Sequence, residues 1–526
     1  MVEQAPPSSE DRKTLMGQVR TMGWNFWACS LIEGFERLAF FGVSAIRSLY
    51  MKNTLDIKGG ARGSILGIWA LLQCIVPMIS SGYTDAYGYR ISMVIAFLIN
   101  IMGYSLMANS SGFGSMFLAA CLVGLGTAIF KPPIQTSVAT SLDERNSELG
   151  VGIFYWVINI GGALAPMIAS ALRGNDLSST WHYAFYAAAI FTAINFLPAT
   201  FLFREPKILR APHEKSPLQD FASMMLTLWN DRRLLSFLLV ISGFWFMFMQ
   251  LWDLLPIAVD EWVDTRDVGA IIGSLGGWWE ATFLDSTGAA KAELLINIDA
   301  IVIILFVVPL SAMFSRVPTT MALFFGMVIT TMGFMGAGVC NSGATVSLAI
   351  FVFAMGEMIC SPKFTEFINV VAPPDKKALY MRYSNIPFAL GWAGGNFVSQ
   401  PLYGRLSGRD RFARRYLEEQ LKVSAAEMKT LETAAHMLPI GAKPDGPLLD
   451  AIYDKLALAG NPLVYKGTES VGKRYAATAV LWNVYRPWKI WPVLGAVGLI
   501  SLIGMLLFHR VRNKTGSRGY RGEEIL

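Results

Sequence analysis

The stretch "LIEGFERLAFFG", Leu31–Gly42, places Glu33, Glu36 and Arg37 inside an otherwise apolar segment that runs from about Gly23 to Met51. A segment of that length can cross a bilayer, for which ~20 apolar residues suffice. A charge at the centre of a spanning helix costs ~2.5–3.5 kcal/mol on insertion scales. Charges this dense in a spanning helix must therefore pair with one another or face a polar cavity. Glu33 and Arg37 are four residues apart and share one face of a helix, with Glu36 beside them. The bland reading is a structural pair that ties helices together. The functional reading is a site that handles protons, and the rest of the chain weighs between the two.

The 526-residue chain is 53% hydrophobic and 16% charged, where soluble domains carry ~25% charged residues. It reads as an all-α membrane protein. Hydropathy predicts about twelve transmembrane helices. They centre near Phe35, Leu71, Asn100, Gly124, Val157, Ala189, Phe244, Ile303, Met327, Phe353, Ala389 and Gly498. The expected organisation is an N-terminal segment 1–22, a six-helix bundle 23–203 and a linker 204–233. A second six-helix bundle, 234–510, and a tail, 511–526, follow. "LQDFASMMLTLWNDRR" in the linker has the spacing of an amphipathic surface helix.

Basic residues set the orientation. Arg12, Lys13 and Arg20 precede the first span. Arg204, Lys207, Arg210, Lys215, Arg232 and Arg233 lie in the linker, and Lys376, Lys377 and Arg382 follow span ten. Arg510, Arg512, Lys514, Arg518 and Arg521 lie at the C-terminal end. All fall on one side of a twelve-span arrangement, which predicts cytoplasmic termini in a plasma or inner membrane. The polar stretch 407–489 is an exception on the opposite face. It looks helical in "RFARRYLEEQLKVSAAEMKTLETAAHML" and in "PLLDAIYDKLALAG".

Composition and motifs exclude other classes. The net charge of +6 is met by basic loops and needs no nucleic acid. Cys29, Cys74, Cys121, Cys340 and Cys360 lie in or beside apolar spans, which argues against a disulfide framework. "MVEQAPPSSEDRKTLMGQVR" has no apolar core of a signal peptide, so the first span is expected to direct its own insertion. The sequence holds no P-loop, nucleophile elbow or HExxH motif, so neither an ATP-driven pump nor an enzyme is expected. No cofactor is expected, and a proton gradient is the expected energy source. His182, His213, His436 and His509 lie at span edges or in polar segments, which argues against a histidine switch.

Further polar positions lie inside predicted spans. Lys131 stands in "GTAIFKPPIQ", where Pro132 and Pro133 are expected to break the helix. Asn159 stands in "FYWVINIGG", Gln250 and Asp253 in "FWFMFMQLWD", and Glu357 in "GEMICSPK". Asn297 and Asp299 belong to span eight. Both halves thus supply ionisable groups at similar depth, as a pathway or proton relay requires. Lys131 could exchange partners with Glu33 or Glu36 as one acid protonates, a physical route to proton coupling. Two bundles of six spans place a ligand site between them at mid-membrane.

Several of these stretches resemble known motifs. "GYTDAYGYR", Gly82–Arg90, is similar to the tight turn between spans two and three of the major facilitator superfamily. "EGFERLAFFG", "FKPP", "FYWVINIGG", "FWFMFMQ" and "GEMICSPKFTEFINVVAP" resemble, in order, motifs of its proton-coupled oligopeptide transporter branch. The resemblance implies the major facilitator fold and a symporter that imports di- or tripeptides with protons by alternating access. It implies a proton-linked cluster of Glu33, Glu36, Arg37 and Lys131. Lys131 would hold the peptide carboxylate, and Asn159, Asn297 and Glu357 would surround the backbone and amino end. Phe40, Phe41 and Trp245 would line side-chain pockets.

The departures are specific. Phe40 and Phe41 stand where that family has tyrosines, Pro133 where it has an asparagine, Ser44 where it often has an arginine, and Met249 where it often has a glutamate. In the family the last two residues are thought to meet across the outer gate. Here Arg47 follows Ser44 by three residues and Asp253 follows Met249 by four. Each is about one helical turn further out, so Arg47–Asp253 is the expected replacement pair. The alternatives are proton-coupled transport of another small solute, such as an amino-acid derivative or anion, and a transport-dead sensor or interaction protein.

Overall fold

The computed structural model describes residues 15–143, 146–174, 180–206, 216–314, 317–373, 376–436, 445–458 and 470–515. Arg12, Lys13, Lys207, Arg210, His213, Lys215, Arg518 and Arg521 lie outside them, as do the side chains of His509, Arg510, Arg512 and Lys514. Among the described residues the chain is helical, with two isolated bridges and no strand. Hydrocarbon offers no partner to a backbone N–H or C=O, so a segment inside it closes its hydrogen bonds within itself as a helix.

The first six spans are α1 Trp24–Asn53, α2 Gly59–Tyr87, α3 Tyr89–Ala108, α4 Phe113–Thr140, α5 Ser147–Leu172 and α6 Trp181–Ile194. A π-turn, Pro198–Leu202, extends α6. The second six begin with α7, built from Arg232–Phe248, Gln250–Asp253 and Leu255–Trp262. Then come α8 Ala292–Phe314, α9 Thr319–Val339 and α10 Gly343–Val371. α11 is assembled from Lys377–Tyr383, Asn385–Phe388, Ala389–Ala393 and Gly394–Leu406, and α12 is Ile490–Thr515. Ten of these spans are long and apolar enough to cross a membrane on composition alone. α1 falls short because of its charges, and α11 because it is broken into pieces.

α4 corrects one expectation. It runs unbroken from Phe113 to Thr140 through Pro132 and Pro133. Ending a helix inside the bilayer would strand several backbone groups, whereas a proline removes one N–H bond, and neighbouring helices tolerate the local adjustment.

The spans form two six-helix bundles. In the first, α1 packs on α5 and α6, and α4 packs on α2 and α3. In the second, α10 packs on α8 and α9, and α12 packs on α7 and α9. Contact between bundles runs mainly through α2 against α11 and α5 against α8. Gly88 makes the turn from α2 to α3 at φ +102, where an L side chain is strained. In the linker, Ser216 and Gln219 form a reciprocal cap on helix Pro217–Asn230. That helix buries Met224 and Leu228 and leaves Leu218, Leu226 and Trp229 exposed, as a surface-lying helix does.

On the face opposite the linker, the insert contains helices Arg409–Glu419, Ala425–His436, Gly446–Leu458 and Ser470–Tyr485. Residues 437–444 and 459–469 of it lie outside the described residues. The helices share an apolar core of Leu417, Leu448, Leu449, Ile452 and Leu481. The buried Arg409 grips Asp445 with two bonds, Nε to Oδ2 at 2.6 Å and Nη2 to Oδ1 at 3.1 Å. Burial opposes the charge on Arg409, but Asp445 and then Glu261 more than offset it and hold its pKa above the usual value. Arg409 also donates to the Glu261 carbonyl, and Trp262 Nε1 donates to the Ser407 carbonyl at 2.9 Å, so the insert is docked on the end of α7.

Arg409→Met leaves Asp445 buried without its cation, which costs about 3–5 kcal/mol. The expected readout is faster proteolysis within 407–489 while the spans stay resistant. The joint change R409M/D445L should recover most of the protection.

Candidate functional site

The site begins on α1. Arg37 Nε lies 3.0 Å from Glu33 Oε1, and the guanidinium also pairs with Glu36. All three residues are buried. α5 closes over this cluster because Gly161 carries no side chain: a Cβ there would lie 2.7 Å from Arg37 Cβ. The Arg37 guanidinium sits over the rings of Phe40 and Phe41, at 5.1 and 5.6 Å. Phenylalanine in place of tyrosine keeps this cation–π face and omits the hydroxyl. Lys131 on α4 is near enough to interact electrostatically with Glu33 and Glu36 but makes no direct ion pair with either. The two acids are thus held by one cation, with a second in electrostatic range.

A cavity of about 110 Å³ opens between the bundles, in a measure where one water needs ~10–15 Å³. Phe41, Asn159, Trp252, Asn297, Asp299 and Glu357 are among the residues that line it. Asn159 Nδ2 donates to the Tyr155 carbonyl and Asn297 Nδ2 to the Ala163 carbonyl, each at 2.8 Å.

Other expected site residues lie elsewhere. Trp245 is not in the cavity lining; it stacks on Phe388 with ring centroids 4.0 Å apart, inside an aromatic core with Phe248 and Phe364. Phe40 is likewise buried against Trp69 and Phe41. In both cases the large ring finds more apolar contact inside its bundle than at the cavity wall. Lys131 is also absent from the lining, so the cation and the acid expected at opposite ends of a zwitterion do not share this cavity.

Nearer the face opposite the termini, Arg47 Nη2 and Asp253 Oδ1 are 2.5 Å apart, with the two residues 2% and 0% exposed. The other Asp253 oxygen accepts Trp392 Nε1 at 2.6 Å and Asn396 Nδ2 at 2.7 Å. Arg47 lies 4.4 Å over the Trp69 ring. Further links that join the bundles on this side include Lys52 to Glu261 at 2.6 Å, Arg173 to Glu293 at 2.6 Å, and Arg62 to Gln400 at 2.9 Å. Sequence reading did not reach these partners. Lys52 and Glu261 lie further toward the same end of α1 and α7 as Arg47 and Asp253, and that offset was the available signal. Trp392 and Asn396 sit on the fragmented α11, whose sequence offers no regular pattern.

Comparison with known proteins agrees with this architecture. The sequence model of the Major Facilitator Superfamily matches residues 29–396. The chain belongs to that superfamily, and it is a membrane transporter by family and fold. Multidrug resistance protein MdtH of Yersinia enterocolitica is 23% identical over 382 residues, which cover 72% of this chain and 86% of that protein. Among solved structures, a peptide transporter POT mutant in complex with alafosfalin has a TM-score of 0.61 at 14% identity, covering 96% of each chain. A POT family transporter in complex with 5-aminolevulinic acid has a TM-score of 0.59 at 16% identity, covering 74% of this chain and 93% of that one. At these identities the likeness is one of fold.

Gly161→Ala should cost about 1–3 kcal/mol through overpacking against Arg37. Gly161→Leu should abolish substrate exchange in liposomes by displacing Arg37 from its acids. Near-wild-type exchange in the leucine variant would show that α5 does not hold the cluster in place.

Proposed function

We propose that the protein is a proton-coupled symporter that imports di- and tripeptides or similar small amine-bearing solutes by alternating access. What carries this reading is Lys131 within electrostatic range of Glu33, Glu36 and Arg37, with no ion pair of its own among the described residues. Two buried acids and two cations lie within electrostatic range of one another, so protonating one acid would change which partner the remaining carboxylate holds. That couples proton occupancy to the freedom of Lys131 to bind a substrate carboxylate. Asn159, Asn297 and Glu357 would meet the amino end, with Phe41 beside them. Arg47 and Asp253 would form the outer gate, and its breaking would accompany opening to the outside. In this reading the protein lies in the plasma or inner membrane with both termini cytoplasmic.

The peptide transporter of like fold, and the POT family transporter of like fold in complex with 5-aminolevulinic acid, support a zwitterionic substrate. The relation to a multidrug resistance protein and the absence of Lys and Arg among the described residues of the cavity lining favour a second reading, transport of other amine-bearing solutes. The buried charges argue against a transport-dead sensor, because an idle pore has no use for groups so costly to bury.

In proteoliposomes, labelled dialanine should accumulate under an inward proton gradient, lose that accumulation with a protonophore, and be taken up at least tenfold more slowly by Lys131→Ala. Absence of dialanine uptake would remove the peptide reading. For the gate, Arg47→Asp and Asp253→Arg should each stop uptake, and R47D/D253R should restore it in part. Restoration is limited because Trp392 and Asn396 both donate to position 253 and suit a carboxylate there. A double variant no better than either single would end the gate assignment.

A further inference from the structure

We infer that Glu293, in the first turn of α8, accepts a hydrogen bond from a neutral donor on the solute in the cavity, and that this contact helps to hold α5 and α8 together on the face opposite the linker. This rests on the transporter reading above and adds a specificity-determining residue that ties occupancy of the cavity to closure of that face.

The charged contacts between the bundles on that face differ in one respect. Among the described residues, neither Arg47–Asp253 nor Lys52–Glu261 contributes to the cavity lining. Glu293 does. It is 0% exposed, and its Oε1 takes Arg173 Nε at 2.6 Å. Its Oε2 is buried with no hydrogen-bond partner among the described residues. Glu293, Asn297 and Ala300 recur on one face of α8 along the cavity wall. Glu293 stands about 6 Å beyond Asn297 and about 9 Å beyond Asp299 along the helix axis. An extended dipeptide spans up to about 7 Å. A solute held at the depth of Asn297 therefore brings its far end to Glu293.

The contact is built from two helix ends. Arg173 caps the C-terminus of α5 and Glu293 lies at the N-terminus of α8, each with the sign of charge its helix end favours. Lys291, just ahead of α8, donates Nζ to the Ser170 carbonyl in the last turn of α5 at 2.9 Å and to the Thr282 carbonyl at 2.8 Å. Arg173 also lies 4.6 Å over the Trp181 ring of its own bundle, so its place is set there too.

Oε2 calls for a donor and not for a second charge. Arg173 already matches the carboxylate and opposes a further cation beside it. A carboxylate or an ester offers only acceptors at that point. A neutral N–H or O–H, such as that of a primary amide, fits. With Arg173 in contact, Oε2 without a donor is a buried unsatisfied acceptor, which is costly. Where the bundles part, water reaches the carboxylate and a solute donor adds little. A solute that supplies the donor thus favours the joined arrangement, and a ligand that favours one of two arrangements shifts the population toward it.

The test uses the full chain in nanodiscs and three probes that share one ammonium end: dialanine amide, dialanine dimethylamide and dialanine methyl ester. Calorimetry should show the amide binding at least about fivefold more tightly than the other two, which lack the terminal N–H. Hydrogen exchange at 168–173 and 291–297 should slow about twofold or more with the amide bound, and stay unchanged at equal occupancy of the others. Glu293→Gln turns a donor toward the cavity, so the three probes should bind it within about twofold of one another while its unfolding temperature stays near wild type. If that variant is unstable, Arg173→Gln serves instead. It leaves the Glu293 charge unmatched, so dialanine 2-aminoethylamide, whose far end is a second cation, should gain at least about fivefold on the amide relative to wild type. Equal binding of the three probes to the wild type, an unchanged preference in Glu293→Gln, no such gain in Arg173→Gln, exchange slowed alike by all three, or no binding of any probe would overturn the inference. Proton-driven uptake of dialanine by a chain without preference for the amide would leave the symporter reading standing without this one. Preference for the amide in a chain that takes up no dialanine would keep this inference and defeat the peptide reading.

Discussion

A charge inside the bilayer must be neutralised where it stands, because hydrocarbon supplies neither water nor counter-ion. The organisation of this transporter follows from how it meets that constraint. Arg47 and Asp253 belong to different bundles, and each is the other's counter-charge at 2.5 Å. While they are together α1 and α7 are held in contact on one face, and separating them demands water or new partners for both. The neutralising contact and the bundle contact are the same object, as a structure with two discrete arrangements requires. Trp392 and Asn396 add two donors to Asp253, and Trp69 adds a ring face to Arg47, so each half of the pair is held ready within its own bundle.

The same constraint is met differently at the two polar centres. On α1, two acids have a full cation in Arg37 and a second in reserve in Lys131. On α8 and α10, Asp299 and Glu357 line the cavity, and no Lys or Arg is among the described residues of that lining. The first centre has its cation within the same bundle, whereas the second faces the cavity between the bundles.

The insert is tied to the same machinery. Glu261 at the end of α7 receives Lys52 from the other bundle, the Tyr403 hydroxyl at 2.6 Å and the Arg409 backbone N–H at 3.4 Å. One carboxylate thus joins α1, α7, α11 and the first helix of the insert. The insert is docked by buried charge and hydrogen bonds at the edge of the contact between the bundles, so movement of α7 there is felt by both.

The sequence by itself determined the class of protein and the character of its first site. Apolar length sets the spans, and the cost of charge in hydrocarbon makes Glu33, Glu36, Arg37, Lys131, Asp253 and Glu357 stand out without any coordinates. Even the contact between Arg47 and Asp253 was legible, because a displacement of one helical turn is a statement about spacing along a chain. Tertiary structure decided what spacing does not encode. Whether a proline ends a helix depends on what surrounds it, and α4 passes through Pro132 and Pro133 because the bundle makes continuation cheaper than a break. Whether an aromatic ring lines a cavity or fills a core depends on its neighbours, and Trp245 is drawn into the core by Phe388 and Phe248. Asp299 was visible as an acid in a span, but Glu357 is 58 positions away on another helix. Only packing places the two carboxyls on one cavity wall, because electrostatic interaction depends on distance in space and not on spacing along the chain.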